Sequence, residues 1–129
     1  MKKLSFLLAI SFMSIITAKA QLANTKWEGQ IALPDGNGQL SPPVAVIWTF
    51  TKDTLTVTFP DASEEVMTYT TNNDMLLIKK VSGTSPCDAG TAGKYQFQVK
   101  DDMFSIKVVE DECEGRSHID YSRPLHKKL

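Results

Sequence analysis

The sequence predicts an all-β protein, an up-and-down antiparallel meander of eight strands closed into a small barrel. Three observations carry this. After residue 20, no helix-length stretch places apolar residues at three- and four-residue spacing. Apolar and polar residues instead alternate with period two, in eight short runs separated by turn residues. Most of the 11 threonines after residue 20 sit between apolar neighbours, as outward positions on a half-buried sheet do. A flat meander leaves one wide face unburied and two edges open. Closure removes both, and a two-sheet sandwich is the alternative arrangement.

Residues 1–20 read as a secretory leader. Lys2 and Lys3 precede an apolar stretch from Leu4 to Thr17, and Ala18-Lys19-Ala20 supplies a small-x-small cleavage pattern before Gln21. The apolar stretch, about 14 residues interrupted by three serines, is short of the roughly 20 needed to span a bilayer. The expectation is an exported protein, periplasmic or secreted, with a domain over residues 21–129 and no membrane span after cleavage. The leader carries three lysines and no acid, so without it the formal net charge of −1 becomes −4. A mildly acidic domain argues against nucleic acid as a partner, since phosphate binding needs clustered Lys and Arg.

Lys26–Leu33 is the first run; it places Trp27, Gly29, Ile31 and Leu33 on one face, and a Pro-Asp-Gly-Asn-Gly turn begins at Pro34. Val44–Phe50 sends Val44, Val46, Trp48 and Phe50 inward. Thr51-Lys52-Asp53 then turns the chain tightly into Thr54–Phe59, where Leu55, Val57 and Phe59 alternate with threonines. Glu65–Thr71 points Met67 and Tyr69 inward. Met75–Lys80 comes after a turn around Asn73-Asp74; Met75, Leu76, Leu77 and Ile78 are all apolar, which leaves its parity open, with Leu76 and Ile78 the inward choice. Ser82–Gly93 is a long irregular connection. Lys94–Lys100 contributes Tyr95, Phe97 and Val99, and Met103–Val109 contributes Phe104, Ile106 and Val108. A polar loop over 110–118 precedes a last run, Ile119–Lys127, that Pro124 suits to an edge or irregular strand.

Cys87 and Cys113 are the only cysteines. In an exported protein they are expected to form a disulfide between the loops that precede run six and succeed run seven. A ring of this size is worth roughly 3.5 kcal/mol by chain entropy.

No motif points to catalysis, a metal or a cofactor. Ser117-His118 adjacency does not make a triad, and Gly-x-Ser-x-Gly and dinucleotide-type glycine spacing are absent. The acidic stretch Glu110-Asp111-Glu112-Cys113-Glu114 lacks the spaced ligands and turn glycine of a calcium loop, and His118 and His126 do not complete a zinc set. It reads as a solvated loop beside a disulfide. The inward set Trp48, Phe50, Val57, Tyr69, Tyr95, Phe97 and Phe104 has two readings. It fills the small interior, or it forms a cup for one small hydrophobic molecule at a barrel mouth.

Asn24-Thr25-Lys26-Trp27-Glu28-Gly29, the hairpin Trp48–Val57, and Tyr69 with Asn73–Ile78 resemble short secreted bacterial members of the lipocalin-like (calycin-type) family. The resemblance implies a ligand-binding, non-catalytic barrel. It also implies a tryptophan near the barrel entry packed under an arginine from the last strand, here Trp27 with Arg123, or with Arg116. Thr25 stands where the family places a glycine, and the chain has no room for the helix before the final strand. The rival functions are a protein-binding module, such as a periplasmic protease inhibitor using Gln21-Leu22-Ala23-Asn24, and a structural barrel without ligand.

Overall fold

The computed structural model describes residues 21–129, so the expected leader lies outside the described residues. Eight antiparallel strands close in sequence order into a barrel. They are β1 (Thr25–Ile31), β2 (Val44–Phe50), β3 (Thr54–Thr58), β4 (Glu64–Asn72), β5 (Met75–Ser82), β6 (Ala92–Lys100), β7 (Met103–Asp111) and β8 (Leu125–Lys128). One helical turn, α1 (Glu114–Ser117), lies between β7 and β8. The up-and-down meander expected from the alternation is the architecture found.

Up-and-down order puts the connections of 51–53, 73–74 and 101–102 at one end and the four longer ones at the other. The short turns are strained in the way their residues permit. Asn73, Asp101 and Asp102 all hold positive φ, a region that Asn and Asp tolerate better than most residues. The inward positions of the alternating runs are the core: Val46, Trp48 and Phe50 from β2, Leu55 and Val57 from β3, Leu76 and Ile78 from β5 are all buried.

The end with the short turns is filled. Phe104 is its hub, with ring centroids 5.5 Å from Trp27, 5.9 Å from Phe50 and 6.0 Å from Phe97. Phe50 in turn meets Tyr69 edge-on at 5.0 Å, a favoured aromatic geometry. Tyr69 donates from its hydroxyl to the Thr51 carbonyl at 2.5 Å, tying β4 to the turn below it. Leu22, ahead of β1, is fully buried in the same cluster. The segment 21–24 is thus anchored to the barrel.

Two expectations need correction. The last strand begins at Leu125, not Ile119, and meets β7 at only two register pairs, Met103↔His126 and Phe104↔Leu125. Pro124 has no N–H for a ladder, and the residues before it are held otherwise: Asp120 bridges Ala32, and its carboxylate accepts the Ser122 N–H at 2.9 Å. Nor is 110–118 simply a solvated loop. β7 runs on to Asp111, and both Asp111 and Arg116 have buried side chains. A register shift between Lys94 and Tyr95 leaves Val109 without a cross-strand partner. Such a bulge flips the parity of the residues beyond it, so Asp111 turns inward after Phe104, Ile106 and Val108.

Candidate functional site

The long-loop end is open. A cavity of about 530 Å³ enters the barrel there, with walls that are mostly apolar: Ile31, Val44, Val57, Phe59, Met67 and Ile78 among them. Aliphatic side chains occupy most inward positions at this level, where the filled end has aromatic rings, and that difference in bulk leaves the space. Trp48 is where the two regimes meet. It lines the cavity, its ring lies 5.8 Å from Phe104 on one side, and Tyr121 meets it edge-on at 6.1 Å on the other. Its indole N–H is buried without a hydrogen-bond partner among the described residues. Trp27, by contrast, donates to the Thr25 hydroxyl at 2.8 Å. A buried unpaired donor costs about 1–3 kcal/mol.

Two polar knots flank the mouth. In the first, Asp111, with no exposed side-chain surface, receives two hydrogen bonds from Arg116 at 2.6 and 2.8 Å and one from the Cys113 N–H at 2.8 Å. The Tyr95 hydroxyl also donates to Asp111, and Arg116 reaches the Thr91 carbonyl at 3.2 Å. Burial opposes the Arg116 charge, but the Asp111 carboxylate outweighs it and holds the guanidinium pKa above its ordinary value. Burial pushes the hydroxyls of Tyr95 and Tyr121 well above the usual phenol range. Gly93 makes the knot possible: a Cβ there would stand 2.5 Å from the Asp111 carboxylate and 2.8 Å from the Tyr95 ring.

The second knot joins β4, β5 and the loop after β5. Lys80, 5% exposed, donates to the Ser85 carbonyl at 3.0 Å and hydroxyl at 2.9 Å and pairs with Glu65 at 3.3 Å. Glu65 also accepts the Ser85 N–H at 2.6 Å and hydroxyl at 2.9 Å. Between the knots the disulfide Cys87–Cys113, with Cα atoms 5.5 Å apart, ties the β5–β6 loop to the start of α1. Both sulfurs belong to buried residues. At the rim, the Ser63 hydroxyl and N–H bond to Asp61 and hold its carboxyl below the usual range.

Of the inward set that the alternation marks as a possible cup, Trp48 and Val57 line the cavity. Phe50, Tyr69, Phe97 and Phe104 lie in the packed half, and Tyr95 sits beside the cavity in the Asp111 knot. Trp27 is at the filled end. Arg123 is half exposed and pairs with Asp120 at 3.8 Å, while the arginine that the structure buries is Arg116.

Lys80, Glu65 and Tyr121 are site residues that the sequence reading misses. Continuing the inward parity Leu76, Ile78 by one step reaches Lys80, so that residue has a signal. Asp111 has none, because the bulge at Val109 breaks the parity. Among the described residues, no group of His, Cys, Asp and Glu is placed to hold a metal ion, and no helix is long and apolar enough to cross a membrane. No family model, curated protein or solved structure matches the chain.

Proposed function

We propose that this protein is an exported, non-catalytic, lipocalin-like carrier that holds one small hydrophobic molecule in the open end of its barrel. The observation that carries the reading is the apolar cavity of about 530 Å³ floored by Trp48, which exceeds the roughly 300 Å³ at which ligand pockets begin. The mostly apolar lining, with Ile31, Val44, Val57, Met67 and Ile78 beside Trp48, supports it. The closed eight-strand meander supports the family resemblance, and the buried disulfide supports export to an oxidising compartment. Burial of Leu22 in the core argues against the protease-inhibitor alternative, since it leaves segment 21–24 unable to enter a cleft.

The test is titration with the neutral apolar dye N-phenyl-1-naphthylamine. The expected outcome is saturable dye enhancement with quenching of Trp48, the tryptophan in the cavity wall. In a Trp48→Phe variant the quenching disappears, since Trp27 is walled off by the packed half. Absence of saturable binding by the folded protein overturns the reading.

A further inference from the structure

The charges around the mouth say more about the occupant than its size does. Four connections surround the opening: 32–43, 59–63, 83–91 and 112–124. Together they carry six carboxylates, Asp35, Asp61, Asp88, Glu112, Glu114 and Asp120, against two arginines and no lysine. Both arginines are engaged, Arg116 with Asp111 and Arg123 with Asp120. The further cation on the inner side, Lys80, is taken by Glu65 and Ser85. A ligand carboxylate or phosphate entering here would shed water, meet a surplus of negative charge, and find each inner cation already paired. Burying an ion without a counter-ion is strongly unfavourable, and a like-charged rim slows its approach.

We infer that the cavity rejects anionic amphiphiles such as fatty-acid anions and takes apolar molecules without a negative charge, such as a long-chain alcohol or ester. The inference rests on the carrier reading and narrows its ligand class. Selection is by the paired state of Lys80 and Arg116. Apolar walls accept the chain of either molecule, and the mouth discriminates between the head groups.

The experiment is displacement of bound N-phenyl-1-naphthylamine by dodecanol, dodecanoate and dodecylamine, at neutral pH and below their aggregation limits. Dodecanol is expected to bind at least tenfold more tightly than dodecanoate, and dodecylamine, whose charge the acidic rim attracts, more tightly than dodecanoate as well. Greater apolarity alone favours the alcohol, so two variants isolate the electrostatic part. Glu65→Gln releases Lys80 and is expected to narrow the alcohol–carboxylate gap at least threefold. Asp88→Asn, at an exposed mouth carboxylate outside the cavity lining, is expected to raise dodecanoate affinity up to about twofold without moving dodecanol, an effect that fades as salt screens the rim. Asp88→Asn carries the test if Glu65→Gln does not fold. Dodecanoate binding as tightly as dodecanol or dodecylamine overturns the inference, as does a gap unchanged in every folded variant. Dye binding that none of the three probes displaces also overturns it, whereas failure of the dye itself to bind overturns the carrier reading.

Discussion

Arg116 clasps Asp111 through two side-by-side hydrogen bonds, Nε to Oδ2 at 2.6 Å and Nη2 to Oδ1 at 2.8 Å, in a pocket where Asp111 has no exposed side-chain surface. Planar fork-to-carboxylate pairing of this kind fixes geometry as well as charge. It pins α1 to the end of β7 and so shapes one wall of the mouth. Truncating Arg116 to Ala strands a buried carboxylate, and the expected loss is about 3–5 kcal/mol in chemical denaturation. Arg123→Ala, which removes a half-exposed pair with Asp120, is expected to cost less than about 1 kcal/mol. Equal losses in the two variants would contradict this account.

Phe104 touches four other rings and is 1% exposed. Phe104→Ala opens a hole in the packed half, and about 3–5 kcal/mol of stability is expected to go with it. Leu33→Ala, at the cavity rim, leaves space that is already empty on one side and is expected to cost much less. Parallel urea curves on the two variants decide the matter.

The disulfide spans 26 positions and joins two mouth loops, not two barrel strands. Reduction, or Cys87→Ser with Cys113→Ser, is expected to lower stability by about 2–5 kcal/mol. The far-UV circular dichroism of the barrel should persist at low temperature, while dye affinity falls as the mouth loosens. An unchanged unfolding midpoint under reductant would show that the tie contributes nothing.

All three tyrosines, Tyr69, Tyr95 and Tyr121, have pKa values raised in the fold, with burial the largest cause in each. A group whose folded pKa lies above its unfolded value of about 10 contributes stability fully present below that pH and lost as pH rises past it. Alkaline titration should therefore show phenolate absorbance appearing together with loss of sheet signal, in one cooperative step. Phenolate absorbance developing near pH 10 in a chain that keeps its sheet would refute the burial account.

Strand positions and the inner face were legible because period two is rigid: once Trp48 is inward, Val46 and Phe50 must be too. The same rule failed where geometry broke the count. The bulge at Val109 turned Asp111 into the barrel, and Pro124 kept 119–123 out of the ladder. The emptiness of the mouth was less legible still. It depends on how aliphatic and aromatic inward residues are distributed between the two ends, which requires the register between strands and not only the alternation along each. Arg116 gains its burial from the α1 turn and the neighbouring knot, long-range partners that a linear reading does not bring together.

β1 starts and β8 finishes side by side at the filled end, with Lys26 opposite Lys128, and the cavity opens at the other. A tether fixed near either of these residues would hold the molecule like a cup by its base. Immobilised on a bead, or fused to a partner through that end, the barrel would present its opening to the surrounding fluid, and the proposed carrier should take up and release dye as it does in free solution.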